Sequence, residues 1–252
     1  MCLINFQLND HPTYKLVMLA NRDEFYNRPT EAANFWPDSP DLLAGRDLLQ
    51  MGTWLGVTKK GRIAALTNFR DPSTMEPGKR SRGEIVSNFL SSDLSPQEFW
   101  ANLKKEEYTG FNVILGNADQ LFYFSNMEEG IQEISPGIHG LSNHLLNTPW
   151  PKVVKGKRNL AQYLAEHEKA ELDPLFDFLA DAEQADDFEL PDTGIGWEFE
   201  RKLSSAFIAT PDYGTRSATV LLIDRNNQLT FAERTFNDGS LKNQQVFTFS
   251  ID

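Results

Sequence analysis

Cysteine is almost absent from the sequence, with one residue among 252. A single cysteine cannot form an internal disulfide bond. The chain has four histidines and neither an HExxH nor a CxxC motif, so a zinc site would need carboxylate ligands. GxGxxG and GK(S/T) loops are also missing, which leaves a nucleotide-binding fold without support. We therefore expect no metal and no resident cofactor.

Long apolar runs and a targeting leader are missing as well. No stretch approaches about 18 consecutive apolar residues, the length typical of a transmembrane helix. The N-terminus has no basic leader, and Asp10 and Lys15 interrupt its apolar residues, unlike a secretory signal. We expect a cytoplasmic protein without a transmembrane segment.

Positive charge is scarce, since 24 Lys and Arg residues stand against 36 Asp and Glu residues, for a net charge of −12. This balance disfavours a nucleic-acid partner, which requires a clustered positive field. Gly and Pro are spread along the chain and mark no linker. We predict a single domain over residues 1–252 that acts on a small molecule, and leave its oligomeric state open.

Short apolar runs separated by turn residues predict two β-hairpins in the first quarter of the chain. Leu3–Leu8 and Lys15–Ala20 flank the turn Asn9-Asp10-His11-Pro12, and Thr53–Thr58 and Arg62–Thr67 flank Lys59-Lys60-Gly61. Between the hairpins, several prolines indicate an irregular segment over residues 21–50.

Capping patterns and helical periodicity predict four helices. Ser81 with Glu84, and Ser95 with Glu98, match the capping box, and the second of these helices is expected to reach about Glu107. Apolar spacing predicts further helices over residues 150–168 and 172–182.

The remaining apolar runs predict strands that alternate with these helices. They are Phe111–Leu115, Gln120–Ser125, Ile131–Ile134, Gly140–Leu141, Ser205–Ala209, Ala218–Asp224, Gln228–Thr235 and Val246–Ser250. Groups of strands followed by groups of helices indicate an α+β protein, with antiparallel sheets and helices packed outside them.

Cys2 is the first candidate for chemistry. If Met1 is removed, Cys2 carries both a thiol nucleophile and an α-amine with a reference pKa near 8, which can accept the thiol proton. The alternative is an ordinary buried cysteine at the start of the first strand. While Met1 is present the Cys2 nitrogen is acylated, and an acylated nitrogen is not a base.

The segment Asn21-Arg22-Asp23-Glu24 is the second candidate. It follows the second strand of the first hairpin, and the end of that strand lies beside the start of the first strand. Arg22 and Asp23 are therefore expected near Cys2, where a guanidinium favours the thiolate and a carboxylate orients the amine. The alternative is a polar turn with a surface ion pair.

Asn68, Asn143 and Arg216 are weaker candidates. Asn68 and Asn143 follow predicted strands, where a carboxamide can donate to an oxyanion, although asparagine is also common in turns. Arg216 precedes an apolar strand and can clamp a carboxylate or organise the nucleophile.

Two basic clusters and a histidine pair are open to more than one interpretation. Lys79-Arg80-Ser81-Arg82 and the cluster Lys152, Lys155, Lys157 and Arg158 form either anion sites or solvated faces. His139 and His144 flank Asn143, and a Cys–His dyad is a further alternative.

Several motifs taken together resemble one known family over nearly the whole chain. They are MCLINF, ANRDEFYNRP, AGRDLLQMGTWLGV, LTNFRDP, SRGEIVSNFL, GLSNHLLNTPWPKV and YGTRSATVLL. They resemble the NRDE family, also called the transport and Golgi organisation protein two family. That family is similar to the N-terminal nucleophile hydrolases, particularly the cysteine branch of penicillin V acylase and bile salt hydrolase.

The resemblance implies a four-layer αββα sandwich of antiparallel sheets and a role for each candidate residue. Cys2 would be the nucleophile and its own amine the base, with Arg22 and Asp23 in support. Asn68 and Asn143 would match the oxyanion-hole residues, and Arg216 would match an Arg before a late strand.

Two functions follow from the resemblance, and a third is weaker. The first is hydrolysis of a non-peptide amide bond of a small molecule. The second is a non-catalytic carrier on the same fold that binds haem or an acyl-type amphiphile. The third, a membrane-trafficking scaffold, is disfavoured by the acidic composition.

Overall fold

The computed structural model describes residues 2–74 and 79–251. This part of the chain forms thirteen strands, five α-helices and three short 3₁₀ turns, at Pro72–Thr74, Lys105–Glu107 and Asp187–Glu189. The strands are β1 (Cys2–Leu8), β2 (Tyr14–Phe25), β3 (Thr30–Trp36), β4 (Ser39–Asp47), β5 (Leu55–Thr58), β6 (Ile63–Asn68), β7 (Phe111–Gly116), β8 (Leu121–Ser125), β9 (Gln132–Glu133), β10 (Gly137–Leu141), β11 (Tyr213–Asp224), β12 (Gln228–Asn237) and β13 (Ser240–Ser250). The helices are α1 (Gly83–Leu90), α2 (Pro96–Asn102), α3 (Pro151–Glu166), α4 (Leu172–Leu179) and α5 (Trp197–Lys202).

The strands pair into two antiparallel sheets. The first sheet has the order β10-β1-β2-β11-β12-β13, and the second runs β3-β4-β5-β6-β7-β8-β9. Most neighbours in each sheet are also neighbours in sequence, so hairpins build most of both sheets. In the first sheet, the long-range pairings β10 with β1 and β2 with β11 bring the N-terminal hairpin to the centre.

The largest apolar core lies between the two sheets. Ile4 and Phe6 of β1 and Met18 of β2 face Val57 and Ile114 of the second sheet. Because successive strand side chains point to opposite faces, the alternate residues of each strand are turned outward.

Helices cover the outer face of each sheet. Val17 and Val220 pack under α3 and α4 against Leu160 and Phe176. On the other side, α1 and α2 cover β4, β6, β7 and β8, with Phe89 at the centre of that cluster. The resulting layer order confirms the predicted αββα sandwich.

Many local predictions are confirmed with small changes at the ends. Both early hairpins form, and Ser95 and Glu98 make the reciprocal capping box. The helix after that box was expected to reach Glu107 but ends at Asn102, because Leu103 takes an extended conformation. A separate 3₁₀ turn then covers Lys105–Glu107.

The prediction of an irregular segment over residues 21–50 was wrong. β2 continues to Phe25, and β3 and β4 form a hairpin in this region. Pro29 precedes β3 and Pro37 lies in the turn between the strands, while Pro40 is the second residue of β4. Proline is compatible with strand ends, so these residues delimit the strands rather than prevent them.

Two further local predictions were wrong, and one helix was missed. Ser81 does not cap α1, since Arg82 occupies that position and Glu84 instead accepts from the Tyr108 hydroxyl at 2.6 Å. The expected strand Ser205–Ala209 is reduced to a single bridge at Ala209. Helix α5 was not predicted, because its six residues are too few to show a period.

Candidate active site

Cys2 and Arg22 lie opposite each other in the β1–β2 pairing. Both side chains point between the sheets, since they continue the inward-facing series of Ile4 and Met18. Cys2 is 8% exposed and Arg22 is 5% exposed. The hairpin therefore places a guanidinium beside the thiol with little access for solvent.

A cavity of about 330 Å³ opens at this end of the sandwich. It is lined by Cys2, Arg22, Asp23, Glu24, Arg28, Asp47, Gln50, Thr53, Trp54, Leu66, Asn68, Lys79, Arg80, Ser81, Arg82, Gly83 and Thr109. Four of the six residues predicted for the site lie in this lining, and Asn143 and Arg216 lie outside it. Both sheets and the start of α1 contribute to its walls.

Arg22 is held in place by contacts on several sides. Its guanidinium lies 4.3 Å from the Trp54 ring centroid, and its Nη1 donates to Thr30 Oγ1 at 3.0 Å. Glu24 and Asp47 lie 3.9 and 3.8 Å away. These contacts fix the orientation of the cation relative to Cys2.

Opposing influences act on the Cys2 thiol. Burial raises its pKa, and the Asp23 carboxylate raises it further. The Arg22 cation and a hydrogen bond with the Asp23 backbone lower the pKa of Cys2. Burial is the largest of these effects, so formation of the thiolate depends on a nearby proton acceptor and on the surrounding cations.

Asp23 lies on the helix-facing side of the first sheet. Its Oδ1 accepts from the Thr215 hydroxyl at 2.8 Å, and its backbone carbonyl accepts from the Tyr213 hydroxyl at 2.9 Å. Burial raises the pKa of Asp23, whereas Lys152, the Thr215 hydrogen bond and Arg22 lower it. The carboxylate is thus beside the start of β1 but on the other face from the thiol.

Lys152 is a buried residue of this region whose position the sequence did not reveal. It lies in the first turn of α3 and is 4% exposed. Burial lowers its pKa to about 8, and it interacts electrostatically with Asp23, Arg70 and Cys2. Its Nζ makes no hydrogen bond within the part of the chain that the structure describes. In the sequence, Lys152 belongs to a basic cluster. Its apolar neighbour Val153 is the signal that this part of the helix has a buried face.

Asn143 joins the ends of three strands. Its Nδ2 donates to the carbonyl of Asn68 at 2.9 Å, and its own carbonyl accepts from the Arg70 backbone at 2.7 Å. The neighbouring Ser142 hydroxyl donates to the Cys2 carbonyl at 3.0 Å. Asn143 is therefore positioned to fix Asn68, which itself lines the cavity.

Arg216 holds a loop instead of reaching Cys2. It is the extra residue of a β-bulge in β11, between the pairs Thr215–Asp23 and Ser217–Arg22. Its Nη1 donates to the carbonyls of residues 25, 26 and 28 at 2.8 to 3.0 Å. The bulge turns the guanidinium toward the segment after β2, which the sequence pattern did not indicate.

The other sequence candidates are divided between the cavity and the surface. Lys79, Arg80 and Arg82 of the first basic cluster line the cavity. Lys155 of the second cluster pairs with Asp181 and Glu183 at the surface.

The two candidate histidines lie outside the residues that line this cavity. His139 Nε2 contacts the Ser135 carbonyl at 2.8 Å, and His144 Nδ1 contacts the Thr148 hydroxyl at 2.9 Å. Within residues 2–74 and 79–251, no group of three or more His, Cys, Asp or Glu side chains is arranged to hold a metal ion. No helix of these residues is long and apolar enough to cross a membrane.

Two solved structures share the fold of this chain. The conjugated bile acid hydrolase of Clostridium perfringens, in its C2A mutant form, matches with a TM-score of 0.53 and 8% identity over 99% of this chain and 97% of that chain. The N-acylethanolamine-hydrolyzing acid amidase ortholog of Caenorhabditis elegans matches with a TM-score of 0.50 and 9% identity over 88% of this chain and 92% of that chain. The fold is that of the N-terminal nucleophile hydrolases.

Sequence comparisons then give the family. The model of the family Transport and Golgi organisation 2 matches residues 1–238. The Transport and Golgi organization 2 homolog of Mus musculus is 35% identical over 100% of this chain and 99% of its own length. The Drosophila melanogaster Transport and Golgi organization protein 2 is 28% identical over 93% and 92% of the two chains. The chain belongs to the Transport and Golgi organisation 2 family.

Proposed function

We propose that this protein hydrolyses an amide bond of a small molecule, with Cys2 as the nucleophile. The observation that carries the proposal is the position of Cys2, buried opposite Arg22 at the edge of a cavity of about 330 Å³. A cation fixed beside a thiol favours the reactive thiolate. The fold shared with an acid amidase and a conjugated bile acid hydrolase supports the reaction class.

The proposed mechanism begins with transfer of the thiol proton to the α-amine of Cys2. The thiolate attacks the amide carbonyl, and an oxyanion forms that Asn68 stabilises from the cavity wall. The C–N bond then breaks, the amine product leaves with the proton, and a thioester remains on Cys2. Water activated by the same amine hydrolyses the thioester and releases the acid.

The mechanism requires that Met1 be removed, and Met1 lies outside the described residues. Asn143 takes part indirectly in this proposal, because its amide holds the Asn68 carbonyl. Arg22 acts on the Cys2 thiol from one face of the sheet, and Asp23 acts on the Cys2 amine from the other face. We further propose that the protein acts in the cytoplasm and that its partner is a small-molecule substrate.

The carrier function for haem or an acyl-type amphiphile gains no specific support from the geometry. A haem ligand from His139 or His144 would have to reach the cavity from outside its lining, and both ring systems already have polar partners. We therefore retain the carrier only as an outcome of the test below.

The test uses protein expressed without an N-terminal tag, whose intact mass shows whether Met1 is present. Wild type and Cys2→Ala are then incubated with an N-acylethanolamine and a conjugated bile acid, and the released amines are quantified. We expect wild type without Met1 to release an amine and Cys2→Ala to be inactive but folded. Equal turnover by the two proteins would contradict the mechanism. Retention of Met1 in the native host would exclude amine-assisted catalysis and favour the carrier.

A further inference from the structure

The cavity beside Cys2 is positively charged although the chain as a whole is acidic. Within the part of the chain that the structure describes, five basic and three acidic residues line it. The basic residues are Arg22, Arg28, Lys79, Arg80 and Arg82, and the acidic residues are Asp23, Glu24 and Asp47. A chain with a net charge of −12 has thus concentrated cations around its single thiol.

Two of these cations are balanced by carboxylates inside the cavity. Arg28 lies 2.7 Å from Asp47 and 3.8 Å from Glu24. Arg22 lies within 3.9 Å of the same two carboxylates. These four side chains, two cations and two carboxylates, form a cluster with no net charge.

Arg80 and Lys79 have partners outside the cavity. Arg80 pairs with Glu84 at 2.6 Å and with Glu107 at 2.8 Å. The Lys79 ammonium donates to the carbonyl of Glu106 at 2.7 Å. The third acidic residue of the lining, Asp23, interacts with Lys152 on the far side of the sheet.

Arg82 differs from its neighbours because it has no carboxylate partner among the described residues. Its Nη1 donates to the carbonyl of Gly110 at 3.0 Å, and Glu24 acts on its charge only from beyond the 4.0 Å of an ion pair. Burial lowers the pKa of Arg82, and an arginine remains charged at neutral pH. The guanidinium interacts electrostatically with Cys2. A half-buried cation with no carboxylate at ion-pair distance therefore shares the cavity with Cys2, and an anionic ligand would offset its desolvation.

We propose that Arg82 binds a carboxylate of the substrate, so that Cys2 attacks an amide in a molecule that carries a carboxylate close to the scissile bond. This inference rests on the proposed function. A carboxylate fits better than a phosphate dianion, because Arg82 balances one charge and Glu24 and Asp47 repel a second. The planar guanidinium also matches the geometry of a carboxylate.

The test compares two alkylating reagents that differ in charge. Iodoacetate and iodoacetamide both transfer a two-carbon group to a thiolate with loss of iodide, and only iodoacetate is anionic. Intact mass follows the reaction without ambiguity because Cys2 is the single cysteine. The rate constant for iodoacetate is divided by that for iodoacetamide. This ratio is then normalised to the same ratio for 2-mercaptoethanol, a thiol that has no cationic neighbour.

The variants are Arg82→Gln, Arg82→Lys and a matched control, Arg62→Gln. Arg62 is also a partly buried arginine whose guanidinium donates to carbonyls, those of Phe89 and Leu94, but it does not line the cavity. Thermal unfolding of each variant verifies that it is folded, and Arg82→Lys keeps the charge if the glutamine variant does not fold.

We expect wild type, Arg82→Lys and Arg62→Gln to prefer iodoacetate. Arg82→Gln is expected to lower the normalised ratio about tenfold, as for one unit charge roughly 10 Å away at an effective dielectric constant of about 20. A reactive Cys2 whose ratio is the same in wild type and Arg82→Gln would overturn the carboxylate site and leave the proposed function intact. A Cys2 that reacts with neither reagent would contradict the proposed function and the inference together.

Discussion

The Arg70 guanidinium lies 2.5 Å from the Glu200 carboxylate, and both side chains are buried. Arg70 also lies over the Trp150 ring at 4.7 Å, and its backbone donates to the Asn143 carbonyl. Glu200 accepts from the backbone and hydroxyl of Thr193. This ion pair therefore attaches helix α5 to the strand ends that form the candidate active site.

Glu200→Gln is expected to destabilise the fold, because it removes the carboxylate charge that pairs with the buried Arg70 guanidinium at 2.5 Å. Removing one partner of a buried pair destabilises a protein by about 3 kcal/mol. Urea unfolding at neutral pH measures the change. The control is Asp187→Asn, which breaks an exposed pair with Arg201 in the same segment and should change stability by less than about 1 kcal/mol. Equal effects of the two variants would show that burial of the Arg70–Glu200 pair is unimportant.

Glu233 should make stability depend on pH. Its carboxyl is buried between the sheets, its Oε1 accepts from the Ala33 backbone at 2.6 Å, and burial raises its pKa to about 7. The folded protein therefore binds a proton between pH 4.5 and 7 that the unfolded chain has released. The contribution of Glu233 to the free energy of unfolding is therefore highest below pH 4.5, falls between pH 4.5 and 7, and is constant above pH 7. The full difference is about 3 kcal/mol.

The comparison of wild type with Glu233→Gln tests this pH dependence. Unfolding free energies at pH 5.5 and 7.5 should differ less in Glu233→Gln than in wild type, because the amide cannot ionise. Glu31→Gln removes an exposed carboxyl on β3 and serves as the control, with the wild-type dependence expected. If Glu233→Gln keeps the wild-type pH dependence, other groups cause it.

Lys152→Met should slow the alkylation of Cys2 at pH 7, where Lys152, with a pKa of about 8, is still protonated. The Lys152 ammonium is buried near Asp23 and Cys2, so its removal leaves the thiolate with one fewer cation nearby. The rate of iodoacetamide alkylation at pH 7 reports the fraction of Cys2 that is thiolate. Lys155→Met is the control, because Lys155 lies on the same helix but pairs with Asp181 and Glu183 at the surface. Identical rates in wild type and Lys152→Met would show that Lys152 does not influence the thiol.

Arg216→Gln should affect the fold more than the chemistry. The variant loses the hydrogen bonds to the carbonyls of residues 25, 26 and 28, so the melting temperature is expected to fall. The alkylation rate of Cys2 in the folded variant should remain within twofold of the wild-type rate. This change is small, because a shift of one unit in the thiol pKa changes the thiolate fraction about tenfold. A large loss of alkylation in a stable variant would restore the role that the sequence predicted for Arg216.

Local sequence patterns were sufficient to predict the features that position Cys2. The first hairpin follows from two apolar runs around a turn, and its antiparallel geometry brings Arg22 opposite Cys2. The capping box at Ser95 is equally local, since both partners lie within one helical turn. These features depend on neighbours in the chain, and pattern and spacing therefore predict them.

The burial of particular charged residues, and the groups that they face, depend on long-range packing. Lys152 and Arg82 each belong to a basic cluster that the sequence also allowed to be solvated, yet Lys152 is buried under the first sheet and Arg82 lines the cavity. Asn143 meets Asn68 across 75 positions of the chain. The bulge that redirects Arg216 arises where β11 pairs with β2, nearly two hundred residues away. Burial and pairing of this kind result from the packing of distant segments, so local sequence patterns do not predict them.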